Sequence, residues 1–229
     1  LLKLSSKIFC YSKEIIDYPS REESKKIIIE HVLRKQIYDF KAGYNKKEDN
    51  NITLLIIGGS QGAKFFDDSL KNSIIDLSKK YKLKIFHQVS LEKMQNLEKF
   101  YKENSIENKL FDFEENIFDY ISSSNLAITR AGASTLSELV FLALPFIAVP
   151  YRFATDNHQL KNANYYKSKD CCWLLEEKEF NEHKLSAILT NIINNKDEYL
   201  KKKKNLEKFC YQNTWNNVNQ KLIEAINEN

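Results

Sequence analysis

Thr53-Leu54-Leu55-Ile56-Ile57-Gly58-Gly59-Ser60-Gln61-Gly62-Ala63 is the stretch on which the fold turns. Five uncharged residues run without alternation into a glycine-rich turn. A strand with one face in water alternates apolar and polar side chains, whereas an unbroken apolar run belongs to a strand covered on both faces, as in a parallel sheet. The glycines permit positive φ and close backbone approach. Phe66, Leu70, Ile74 and Leu77 then recur at helical spacing. The sequence thus reads as buried strand, glycine turn and helix.

The same rhythm extends outward. Upstream, residues 7–11 and 27–29 read as strands, and the polar stretch 41–51 reads as a linker. Downstream, strands are expected at 84–87, 110–113, 126–129, 145–149 and 173–175. Helices are expected at 91–102, 117–123 and 135–142, then along Leu185, Ile188, Leu189, Ile192 and Ile193, and along Trp215, Val218, Leu222 and Ile226. Such alternation predicts an α/β fold: a Rossmann-like parallel sheet with helices on both faces and right-handed crossovers. The run Lys201-Lys202-Lys203-Lys204 reads as a solvated helix face.

Composition narrows the function classes. Of 229 residues, 35 are basic and 31 acidic, a net charge of +4 that is too mild a lean to argue for nucleic acid. No apolar run approaches the roughly 18 residues of a membrane span. Of the four cysteines, the one close pair, Cys171-Cys172, is adjacent; that spacing suits neither zinc nor a redox dithiol, and the cysteines point to a reducing compartment. The chain starts at Leu1 and its one methionine is Met94, so a fragment is expected.

In parallel sheets ligands bind beyond the carboxyl ends of the strands. Three loops fall there. Gly58-Gly59-Ser60-Gln61-Gly62 before a helix is either a phosphate site made of free N–H groups or a tight turn with Ser60 as N-cap. In Arg130-Ala131-Gly132-Ala133-Ser134-Thr135-Leu136-Ser137-Glu138, Glu138 is expected in the first helical turn. It could accept hydrogen bonds from a ribose diol, or form a capping box with Thr135. Thr155-Asp156-Asn157-His158-Gln159 is dense in groups that bind sugar hydroxyls, and reads equally as a polar loop before an N-capped helix. His87 and the adjacent cysteines are read as structural.

These blocks, with His87-Gln88, Leu144-Pro145, Val149-Pro150-Tyr151 and Asn162-Ala163, resemble in order and spacing the MurG family of bacterial N-acetylglucosaminyltransferases. The resemblance runs from about residue 7 into the C-terminal helices. It implies the C-terminal half of a GT-B fold: residues 1–40 as the tail of an acceptor domain with its linker, and 41–229 as a UDP-sugar-binding domain. It implies inverting transfer of N-acetylglucosamine from UDP-GlcNAc to a lipid-linked (undecaprenyl) muramyl-pentapeptide in peptidoglycan synthesis, at the cytoplasmic face of the bacterial inner membrane, with no bound cofactor and no metal. The catalytic base is expected in the acceptor domain and is assigned to no residue here.

Residue by residue, the resemblance implies that Ser60 and Gln61 meet the diphosphate and that Glu114 marks the main chain facing uracil. Ala133, Ser134, Thr135, Leu136 and Ser137 line the donor pocket, with Glu138 on the ribose. Gln159, helped by His158, binds the sugar, and Arg34 approaches the nucleotide. Glu30-His31-Val32-Leu33 stands where the family has Gly-Asn-Pro ahead of that arginine. The alternatives are the donor subunit of a two-chain transferase and a non-catalytic nucleotide-binding module.

Overall fold

The computed structural model describes residues 2–11, 18–29, 31–43, 51–212 and 215–227. Strands β1 (Ile8–Cys10) and β2 (Lys26–Ile28) form a small parallel pair, followed by helix α1 (Lys35–Gly43). The linker expected at 41–51 begins inside α1, and most of it lies outside the described residues.

Then come β3 (Ile52–Ile57), α2 (Gly59–Ser69), α3 (Lys71–Ser78), β4 (Leu83–Gln88), α4 (Met94–Glu103), β5 (Glu107–Phe111) and α5 (Ile117–Ser123). They are followed by β6 (Leu126–Thr129), α6 (Ala133–Phe141), β7 (Phe146–Ala148), α7 (His158–Ser168), β8 (Cys172–Leu174), α8 (Glu182–Asn194), α9 (Lys196–Gln212) and α10 (Trp215–Asn227). The main sheet has the order β5-β4-β3-β6-β7-β8, and every pairing is parallel.

The two-sided burial expected of β3 is present. Leu55 and Ile57 join the cluster formed with α5, α6 and α7, while Leu54 and Ile56 join the cluster formed with α2, α3, α4 and α8. Each such buried side chain contributes roughly 2 kcal/mol of apolar transfer. The sheet is therefore the middle layer of three. No described helix is long and apolar enough to cross a membrane.

Local differences from the sequence expectation have local causes. The helix expected through Phe66, Leu70, Ile74 and Leu77 is two helices meeting at Leu70, yet all four side chains are buried on one face. The strand expected at 110–113 lies three residues earlier: Asp112 and Phe113 are exposed beyond its end, and Val89 N–H closes the β4–β5 ladder on Phe111 O at 2.8 Å. Lys202 is not on a solvated face. It is buried, with its ammonium donating to Asp170 Oδ1 at 2.5 Å and 5.0 Å from the Trp173 ring.

His87, at the end of β4, is buried as expected of a structural residue. Its Nδ1 lies 2.8 Å from the Tyr101 hydroxyl and its Nε2 lies 3.6 Å from Asp67 Oδ1. Burial pushes Asp67 up to about 6, opposed by Lys93 and Lys71 and aided by Asp68. Burial pushes His87 down to about 3.

The two groups act on stability in opposite directions. Asp67 has its folded pKa above its ordinary 3.8, so its contribution is full below that value and is lost as pH rises through about 6. His87 has its folded pKa below its ordinary 6.5, so its contribution is full above that value and is lost as pH falls toward 3. D67N removes only the first effect. Thermal melts across a pH series should show D67N above wild type at pH 8, with the gain shrinking as pH is lowered from about 6 to about 4.

Candidate functional site

From β3 the chain moves to β4 and β5 on one side of the sheet; from β6 it moves to β7 and β8 on the other. β3 and β6 are neighbours, so the loops after them diverge and open a crevice at the switch point of the topology. Helix α2 starts on one side of that crevice and α6 on the other. Their N-cap residues are Gly58 and Gly132, and neither makes a side-chain cap. The first N–H groups of a helix have no intrahelical acceptor and carry partial positive charge. Two sets of such groups thus border one crevice.

Both capping expectations are corrected. Ser60 lies within α2, one residue past its start, so it is not the N-cap. The side chains of Ser60 and Gln61 lie outside the described residues. Thr135 and Glu138 form no capping box, because α6 begins at Ala133 after Gly132. Glu138 is then its sixth residue, in the second turn rather than the first. Gly132 has an ordinary φ of −67°, and an added Cβ there would meet open space.

Glu138 instead faces Arg34. Leu33 and Ile37 are buried in the core on either side of Arg34, which seats its side chain over the crevice. Arg34 Nη2 and Nε donate to Glu138 Oε1 at 2.9 and 3.3 Å, and Nη1 donates to Glu115 O at 3.4 Å. The guanidinium lies 4.7 Å from the Phe118 ring centre. Burial pushes the Glu138 carboxyl up, and the Arg34 charge and hydrogen bonds pull it back.

Glu114 sits beside this pair. Its Oε1 accepts Asn116 N–H at 3.0 Å and its Oε2 accepts the Tyr120 hydroxyl at 3.4 Å. Along α6, Ser134 is exposed and Ala133 and Thr135 are half-buried, whereas Leu136 and Ser137 are buried.

The third loop is joined to the second by Gln159. Its Oε1 accepts both Ala131 N–H at 3.1 Å and Tyr151 N–H at 3.0 Å, which leaves the amide nitrogen as its donor. Asn162 Nδ2 donates to Ala131 O at 3.0 Å. Asp156 and Asn157 both have φ of 52°, a region open to Asp and Asn, and they turn the chain into α7. His158, the first residue of α7, is exposed and donates from Nδ1 to Thr155 O, 2.8 Å away.

One pair at this edge was not singled out from sequence: Arg130 with Glu177, 2.9 Å apart. Its one sequence signal is a charged residue placed directly after the apolar run of β6. Among the described residues no group of three or more His, Cys, Asp or Glu could hold a metal ion.

Residues 53–215 match the glycosyltransferase family 28 C-terminal domain. The chain belongs to this family. It is 49% identical over its whole length to a UDP-N-acetylglucosamine--N-acetylmuramyl-(pentapeptide) pyrophosphoryl-undecaprenol N-acetylglucosamine transferase of Pelagibacter ubique, spanning 64% of that protein. A transferase of the same description from Rickettsia canadensis is 32% identical over 83% of the chain, which spans 55% of it. The crystal structure of Acinetobacter baumannii MurG superposes with a TM-score of 0.72 at 20% identity, covering 99% of this chain and 62% of that one. The last comparison speaks for the fold, which is that of the C-terminal half of a GT-B glycosyltransferase.

Q159A deletes the acceptor of two backbone N–H groups, each costing roughly 1–3 kcal/mol when left unpaired in a buried position. Denaturant unfolding should show a loss of about 2 kcal/mol, the low end for two such groups because Tyr151 is only half-buried. Hydrogen exchange should quicken at the amides of Ala131 and Tyr151.

Proposed function

We propose that this chain supplies the donor half of an inverting transferase that moves N-acetylglucosamine from UDP-GlcNAc to a lipid-linked muramyl-pentapeptide. The observation that carries this reading is the switch-point crevice, bordered by two helix N-termini without side-chain caps and by the Glu138 carboxylate. A diphosphate needs the first, and a ribose diol the second. The relatives named for this transfer add the identity of the donor and acceptor.

In this reading the diphosphate lies against the start of α2, at Ser60 and Gln61, and against the start of α6, at Ala133, Ser134 and Thr135. Leu136 and Ser137 are buried, and Leu136 N–H is bonded to Gly132 O at 3.0 Å, so they line the pocket as packing beneath the first turn of α6. The ribose hydroxyls donate to Glu138 in place of Arg34, and Arg34 turns to the nucleotide. Uracil meets main chain beside Glu114. The amide nitrogen of Gln159 donates to the sugar, and His158 offers its Nε2.

Transfer begins when the 4-hydroxyl of the muramyl sugar attacks the anomeric carbon from the face opposite UDP. The bond to the diphosphate breaks, negative charge grows on the leaving oxygens, and the two helix N-termini stabilise it without a bound metal. Residues 1–40 then belong to the acceptor side, docked onto the donor sheet through Leu33 ahead of α1 and Ile37 within it. The acceptor site and the catalytic base lie in the part of such an enzyme that this chain does not span. The assembled enzyme works as a peripheral protein at the cytoplasmic face of the bacterial inner membrane.

Calorimetric titration of the natural-length protein with UDP and with UDP-GlcNAc tests this reading. E138A should weaken both ligands tenfold or more, about 1.4 kcal/mol each, because both carry the ribose. Unchanged affinity together with a lowered melting temperature would make Glu138 a packing residue and overturn the assignment.

A further inference from the structure

The guanidinium of Arg130 is buried where the carboxyl ends of β6, β7 and β8 meet, with a side-chain exposure of 6% against 12% for Glu177. Arg130 Nη1 donates to Glu177 Oε2 at 2.9 Å and to Val149 O at 3.2 Å. The same Glu177 oxygen accepts Arg152 N–H at 3.2 Å. The guanidinium carbon lies 4.5 Å from the Phe65 ring centre, 5.1 Å from that of Phe66 and 5.5 Å from that of Tyr151. One ion pair therefore touches α2 and the loop that leads from β7 into α7.

That loop is fixed at two successive residues. Tyr151 N–H goes to Gln159, and Arg152 N–H goes to Glu177. Beyond them Phe153 is 66% exposed and the chain passes through two left-handed residues before His158. The anchor at 151–152 thus decides where the loop departs from the sheet edge, and Gln159 is bonded to that same anchor.

Stability alone is a poor reason to build such a pair. Removing two charges from water costs about as much as their attraction returns, and apolar residues of equal volume often serve as well. What the ion pair provides beyond stability is direction. Glu177 is a three-residue junction of Arg130, Arg152 and its own short turn after β8.

We infer that Glu177 is a positioning residue for recognition of the hexose of the donor. It sets the 151–157 loop so that the Gln159 amide and His158 face the sugar, while leaving the nucleoside and diphosphate contacts to α2, α6, Arg34 and Glu138. This inference rests on the UDP-GlcNAc reading of the crevice.

The test compares two dissociation constants, for UDP and for UDP-GlcNAc, measured by calorimetry on the natural-length protein. E177Q keeps an acceptor for Arg152 N–H but neutralises the partner of Arg130. It should weaken UDP-GlcNAc three- to tenfold and change UDP by less than twofold, so the ratio of the constants rises by more than about 1.5-fold. The double variant R130M/E177M leaves no buried charge unpaired, so it separates positioning from folding, and its ratio should rise by at least as much. A purely structural role would leave the ratio unchanged, with both constants moving together or neither moving, and would overturn the inference. Failure of the unmodified protein to bind either ligand would instead overturn the donor-site reading beneath it.

Discussion

Leu54 and Ile56 point into one layer of helices, and Leu55 and Ile57 point into the other. A central strand with no face left for water must lie inside a sheet clad on both sides, and parallel strands must be joined by crossovers. Each crossover returns the chain to the same edge, so every strand ends where a loop or helix begins. The crevice between β3 and β6 follows from that geometry rather than from any one residue. Two helices begin there after Gly58 and Gly132, which carry no side chain to occupy the first N–H groups.

A half-buried carboxylate in such a crevice is costly unless a cation faces it. The structure meets that need internally, with Arg34 reaching across from the segment ahead of α1. Arg34 is 43% exposed and Glu138 only 14%, so the arginine is the solvent-facing end of the pair and the carboxylate the enclosed one. The charges of the crevice thus compensate one another.

The buried polar groups away from the crevice have a different character. Asp67, His87 and Tyr101 are enclosed between α2, β4 and α4, and neutrality is what burial favours in each. Lys202 is the opposite case, a buried cation held by Asp170 and stacked near Trp173. Its neighbours in the lysine run face outward or partly outward. Four identical residues in sequence therefore have two different environments, which composition cannot distinguish.

Sequence alone determined the features that repeat over short distances. The strands at β3, β4, β6 and β7, the helix at 117–123 and the apolar face of α8 were legible, because burial imposes a period of two or of about 3.6, or removes alternation altogether. On α10, of the face expected from Val218, Leu222 and Ile226, Val218 is buried and Leu222 half-buried but Ile226 is exposed. The three edge loops were legible because glycine and polar clusters interrupt those periods. The break at Leu70, the start of α6 and the place of Glu138 in its second turn were not, because helix ends depend on cap geometry that several neighbouring residues could satisfy. Only the tertiary structure decided which charges meet. Arg34 and Glu138 are 104 residues apart, and Arg130 and Glu177 are 47 apart. No local pattern records such pairings, since they exist only once the sheet has set the distance between its loops.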